Sequence, residues 1–203
     1  MTVMIWQQAA ALVLIASLIT WLVSLAGSKR GGWGMRAAAA LSALIGLVPV
    51  KGVSAAGMVL SLSPSLSVTG TALWGTLLLS RLMGGKREWA IEAKRRMAFL
   101  ILAVSVPVYI SFIGGIGPDL YDSGYGFTPW DMVLGVSAVL LFIRGSWMSL
   151  VLMACLLAHA AGLVPGSNIF DTLIDGPSFI LSLIVLAGGL FSSRRSLPNR
   201  PGL

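Results

Sequence analysis

The chain has 203 residues, of which 57% are hydrophobic and only 10% charged, and its formal net charge is +7. A soluble domain carries about 25% charged residues, and here the apolar residues fall in long runs rather than in the periods of half-buried helices or strands. With a mean hydropathy of +0.91, this excludes a soluble domain and places the chain among polytopic membrane proteins.

The basic excess then reads as the bias of cytoplasmic loops toward Lys and Arg, not as an affinity for nucleic acid. Cys155 is the only cysteine, so no internal disulfide forms and chemistry needing two thiols is excluded. The pattern predicts an all-α integral membrane helix bundle of about seven transmembrane helices, some short or kinked. A single transmembrane domain covers 1–192, and a basic disordered cytoplasmic tail covers 193–203.

Residues 3–27 form the first expected span. They lack a positive leading segment and end in Ser28, Lys29 and Arg30, which reads as a retained anchor with its N-terminus outside. Gln7 and Gln8 lie about one turn in, where they are expected to reach water at the interface. Residues 37–50 return outward. Ala38, Ser42 and Gly46 make a small-residue stripe suited to close helix packing.

Residues 54–83 come next, with SLSPSLSVTGT at 61–71. Pro64 removes a backbone donor, and neighbouring hydroxyls can satisfy the freed carbonyls. The plainer expectation is a kinked, hydroxyl-rich helix. The sharper one is a broken helix whose second half starts near Ser65 and aims its N–H groups at a ligand.

The segment 81–96 carries KREWAIEAKRR. It reads as an ordinary positive inside loop with a belt tryptophan, or as an interfacial helix that binds anionic headgroups through Lys86, Arg87, Trp89, Lys94, Arg95 and Arg96. Residues 97–113 go outward, with Pro107 expected to kink them. Spans 130–143, 146–164 and 177–191 complete the seven. The short pair around Arg144 is also compatible with a re-entrant hairpin. Ala154, Ala158 and Gly162 are expected on one packing face.

The charges support this topology. Thirteen of the fourteen Lys and Arg fall inside together with both Glu, whereas all five Asp fall outside with Lys51. That segregation implies a bacterial-type inner membrane, with the C-terminus in the cytoplasm.

Two loops then share the outer side: 114–131 (GGIGPDLYDSGYGFTPWD) and 165–177 (PGSNIFDTLIDGP). They supply the candidate binding residues Asp119, Tyr121, Asp122, Tyr125, Trp130, Asp131, Asp171 and Asp175, with His159 one turn below. Asp119–Leu120–Tyr121–Asp122–Ser123 resembles Asn168–Ile169–Phe170–Asp171–Thr172, a five-position match that chance alone can produce. Gathered carboxylates could hold a hard cation such as Ca²⁺ or work as a general acid and base. The plainer reading is that Asp caps helices and forms turns. His159 is expected to satisfy a neighbouring carbonyl or hydroxyl rather than bind metal.

No nucleotide-binding loop, HExxH, GxSxG or haem-ligand pair is found, so no cofactor is expected. Apart from Asp131 at the outer edge of 130–143, no acidic residue lies inside a span, which argues against coupled transport. The leading expectation is a non-enzymatic accessory, assembly or scaffold subunit. Its partners are membrane lipids and another membrane or periplasmic protein, or a second copy of itself, docked on the acidic, aromatic loops. The alternatives are a membrane enzyme using the outer Asp cluster, and a conduit for small solutes or lipid lined by Ser61, Ser65, Ser67 and Thr69.

Overall fold

The computed structural model describes residues 2–27, 32–50, 52–84, 88–114 and 117–195. Lys51, Lys86 and Arg87, and the tail from 196 on, lie outside the described residues. Among the described residues the fold is all-α apart from one hairpin of two two-residue strands.

Helix α1 (Thr2–Leu25) packs against α2 (Trp33–Leu47). The small-residue stripe accounts for this contact. Ser42 and Gly46 are buried, and a Cβ at Gly46 would press on the Leu12 side chain. The chain then turns through β1 (Pro49–Val50) and β2 (Val53–Ser54), paired antiparallel, with Gly52 at φ +85° in the turn.

Ser54 caps α3 (Ala55–Leu62), its hydroxyl accepting from Gly57 N at 3.1 Å. After Leu62 the helix stops. Residues 63–67 run without regular structure, and α4 (Val68–Leu82) begins anew with Ser67 as its cap. The segment expected as one kinked span is therefore broken. Pro64 disfavours the helical conformation at Ser63, which has φ −139° and ψ 89°.

The gap is held open from α1. Gln7 is buried, contrary to its expected place at a wet interface. Its amide brackets Leu66, with Oε1 accepting from Leu66 N at 2.8 Å and Nε2 donating to Leu66 O at 3.3 Å. One side chain thus replaces the helical partners that Leu66 lost at the break.

Helix α5 (Glu88–Gly114) is continuous through Pro107. Helices α6 (Pro129–Ile143) and α7 (Met148–Ala160) form a hairpin that turns at Arg144 and Gly145, where φ is +65°. Ala154 and Ala158 face inward as expected. Gly162 instead ends α7, at φ +58° with its N–H on His159 O. A single turn, α8 (Phe170–Leu173), precedes α9 (Gly176–Arg195).

Helix α4 is central. Its Leu73 belongs to a core with α5, α6, α7 and the second loop, while Trp74 and Leu77 belong to a second core with α1 and α3. Among the described residues, Thr2–Leu25 and Glu88–Gly114 are long and apolar enough to cross a membrane. Trp33–Leu47, Pro129–Ile143, Met148–Ala160 and Gly176–Gly189 are apolar but shorter. Large apolar side chains stand exposed along all of these helices, among them Trp21, Leu44, Phe99, Phe142, Leu150 and Ile184, as expected of helices that meet lipid.

Gln7→Leu should lower stability by about 2–4 kcal/mol, because it strands a buried N–H and a buried C=O. Gln8→Leu should cost well under about 1 kcal/mol. Thermal unfolding in a mild detergent measures both.

Candidate functional site at the loop end

The two acidic loops meet. Tyr125 and Asn168 form an antiparallel bridge flanked by Gly126 N to Ser167 O at 3.1 Å and Ile169 N to Gly124 O at 2.9 Å. Gly124 is required at the seam, since a Cβ there would overlap Asn168 Oδ1 and the Phe170 ring. Asn168 is fully buried. Its Nδ2 donates to Tyr121 O at 2.6 Å and its Oδ1 accepts from Phe170 N at 2.9 Å.

The five-residue match between the loops has a structural counterpart. Asp119 Oδ1 accepts from Tyr121 N as Asn168 Oδ1 does from Phe170 N. The hydroxyls of Ser123 and Thr172 each donate three residues back, to Leu120 O and Ile169 O. Acid or amide first and hydroxyl fifth is the chemistry of one turn, used twice.

The carboxyl groups do not gather at one point. Asp119 is exposed and spent on its own turn, and Asp122 is exposed in the short 3-10 turn Asp122–Gly124. Asp131 is buried in the first turn of α6, where Oδ2 accepts from Thr128 N at 2.8 Å, with Pro129 opening the helix.

His159 lies beside Asp131, with Nε2 at 3.5 Å from Asp131 Oδ1 and 3.1 Å from Gly126 O. A carbonyl oxygen only accepts, so Nε2 carries the hydrogen. His159 thus ties the end of α7 to the first loop. Trp130 donates Nε1 to Ser123 Oγ at 2.8 Å and packs on Phe170. Tyr125 packs edge-on against Tyr121 and stays half exposed. Phe127 beside it is 81% exposed.

Asp175 holds the deepest position. Oδ2 accepts from Ser67 N at 2.9 Å, Ser67 Oγ at 2.5 Å and Ser178 Oγ at 3.0 Å, and Oδ1 accepts from Ser178 N at 2.7 Å. One side chain therefore caps two helices, α4 and its own α9, and answers the positive ends of both dipoles. Thr69 extends the link by donating to Leu173 O, and Cys155 Sγ reaches Thr172 O at 3.6 Å.

Beneath the loops a cavity of about 290 Å³ is lined by Ser63, Pro64 and Ser65 of the break, Tyr109 and Phe112 of α5, and Tyr121, Asp171 and Asp175. Tyr121 donates its hydroxyl to Asp171 Oδ1 at 2.8 Å. Burial, and then this carboxylate, hold the Tyr121 phenol well above its ordinary range. Burial also raises the Asp171 carboxyl, while the Tyr121 hydroxyl and the nearby His159 draw it partly back. Ser65 Oγ is buried and has no hydrogen-bond partner among the described residues.

Of the expected site residues, only Tyr121, Asp171 and Asp175 line this cavity. The broken segment contributes Ser63 and Ser65. The other hydroxyls expected to line a conduit are engaged elsewhere: Ser67 and Thr69 are buried in the Asp175 link, and Ser61 is exposed and bonds Gly57 O at 2.9 Å. Gln7, Ser63, Tyr109 and Asn168 were not among the expected site residues. Only Asn168 had a local signal, the repeated turn.

At the opposite end, Trp89 is exposed, Lys94 and Arg95 border a cavity against α9, and Arg96 pairs with Glu92 one helical turn earlier. Among the described residues no three His, Cys, Asp or Glu side chains are grouped to hold a metal ion. No protein-family model, no curated protein and no solved structure matches this chain.

Asp175→Ala should destabilise the protein by about 3 kcal/mol or more, since it strands two buried N–H groups at once. Asp175→Asn should lie between, and both are read by thermal unfolding. For Asp171 the folded state holds its proton more tightly than the unfolded chain, whose pKa is about 3.9. Its stabilising contribution is therefore full below that value and is lost as pH rises through the higher folded value. Unfolding temperatures measured against pH should show this decline in the native protein and lose it in Asp171→Asn.

Proposed function

We propose that the chain is a multi-pass protein of a bacterial-type inner membrane, with about seven crossings and its loop end on the extracytoplasmic side. It works as a non-enzymatic accessory, assembly or scaffold subunit that docks a partner on that end. The observation that carries this reading is the Tyr125–Asn168 bridge. It makes one surface of two loops and leaves Tyr125 and Phe127 uncovered on it, and exposed aromatic side chains on an ordered surface are common interface anchors. The enzyme reading is weakened because Asp119, Asp122 and Asp131 are spent on turns, solvent and a helix start, with no shared pocket.

A second reading keeps one specific support. The cavity under the loops has two carboxyl groups, two phenols and, on its wall, the Ser65 hydroxyl, which has no partner among the described residues; this suits a small hydrogen-bonding ligand.

Single cysteines placed at Phe127 and Trp33, both exposed, test the orientation in a Cys155→Ser background. A membrane-impermeant maleimide applied to intact spheroplasts should label position 127 and leave 33 unlabelled. Labelling of 33 alone would overturn the topology.

The double variant Tyr125→Ala/Phe127→Ala tests the docking role. It should fold and insert normally yet lose a crosslink formed in cells from a photoreactive residue at Asp122. If the crosslink survives, or if native chains form none, the loop surface is not the docking face.

A further inference from the structure

The cavity of about 290 Å³ beneath the loops joins negative charge to aromatic rings. Tyr109 and Phe112 of α5 and Tyr121 of the first loop line it, together with Asp171 and Asp175. Two of the rings are braced by neighbours that do not line it. Phe179 meets Tyr109 edge to face at 5.3 Å between centroids, and Tyr125 meets Tyr121 in the same way at 5.8 Å. These walls are set before anything enters, which spares a ligand the cost of ordering them.

The Asp171 carboxyl group has a place made for it. Gly166 leaves the room, since a Cβ there would overlap Asp171 Oδ2. Asp171 accepts from the Tyr121 hydroxyl at 2.8 Å, and Asp175 accepts from the amides and hydroxyls of Ser67 and Ser178. All of these donors are neutral. No Lys, Arg or His is among the described residues that line the cavity. His159, beside Gly126 O and Asp131, acts on Asp171 only through space.

Negative charge beside an apolar void is felt strongly there, and an anion is repelled. Burial raises the Asp171 carboxyl, and a cation next to it would favour the charged form again. A hard metal ion takes roughly six to eight oxygens. Here the Asp175 oxygens are engaged by Ser67 and Ser178, and most of the remaining wall is aliphatic or aromatic. An alkylated ammonium ion asks for less. It needs few hydrogen bonds, and it is attracted to aromatic rings as well as to carboxylates.

We propose that this cavity binds a small alkylated ammonium ion, with its head at Asp171 among Tyr109, Phe112 and Tyr121. Asp175, whose oxygens serve the two helix ends, adds charge rather than contact. This assignment rests on the cavity being a ligand site, the second reading of the loop end, and it fixes the class of that ligand.

Isothermal titration calorimetry of the full chain, in a neutral detergent near neutral pH, provides the test. The probes are choline and neopentyl carbinol, its uncharged carbon isostere. Choline should bind about tenfold more tightly, or better. Asp171→Asn keeps the shape of the side chain and removes its charge. It should weaken choline by about tenfold and leave neopentyl carbinol within about twofold. Phe112→Leu keeps apolar bulk at an exposed position and removes the ring. It should weaken choline roughly three- to tenfold while the ligand-free melting temperature stays unchanged, so the test stands even if Asp171→Asn does not fold.

If neopentyl carbinol binds as tightly as choline, the cavity is a ligand site but not one for a cation, and the proposal fails alone. If neither binds at millimolar concentration, the ligand-site reading fails with it. Displacement of choline by calcium chloride but not by sodium chloride of equal ionic strength, or unchanged choline binding in both variants, would each overturn the proposal as well.

Discussion

The Asp175 carboxyl group, shared between the first turns of α4 and α9, is the contact on which the rest of the structure depends. A helix N-terminus leaves N–H groups without partners and carries a partial positive charge. Two such ends meeting inside a protein would repel each other and strand their donors. Asp175 removes both difficulties by accepting from Ser67 and Ser178 together. That explains how the chain tolerates a break at Ser63–Ser67 in an otherwise apolar stretch, and why Asp175 is buried with no cationic partner among the described residues. Gln7 supports the same break from α1 by bracketing Leu66.

The loops are built outward from this junction. Thr69 and Cys155 bond the chain just before Asp175, so α4 and α7 hold the short helix α8 in place. Asn168 then binds the first loop to the second, and His159 ties Gly126 to the end of α7. Most polar side chains at this end therefore position one another. Little is left over for chemistry beyond the Tyr121–Asp171 pair and the cavity it borders. A rigid surface with exposed Tyr125 and Phe127 suits binding better than turnover, which is why the proposed role is docking.

Local features were legible in the sequence and long-range ones were not. Helical runs, the Ser42–Gly46 packing face, the Pro64 interruption and the acidic loops each follow from neighbouring residues, and each is present. The repeated turn of Asp119 and Asn168 was visible as a pattern, although nothing in the pattern said that the two copies would touch. The Gln7–Leu66 and Ser67–Asp175 bonds join residues 59 and 108 positions apart, and no periodicity encodes such pairs. For that reason Gln7 was expected at a wet interface, and Asp175 read as one more member of an acidic surface. Gly162 was taken for packing because spacing alone cannot separate a glycine inside a helix from one that ends it at positive φ.

Amide hydrogen exchange on the unmodified chain in lipid nanodiscs tests the central claim most directly, because it reads the junction and the loop bridge together without altering either. The claim is that the break and both loops form one hydrogen-bonded unit organised on Asp175. The account predicts that the amides of Ser67, Ser178, Gly126 and Ile169 exchange as slowly as those in the middle of α4, although three of them lie outside regular helix. If these four exchange at the rate of the exposed Asp122 turn, the junction does not exist and the account is wrong.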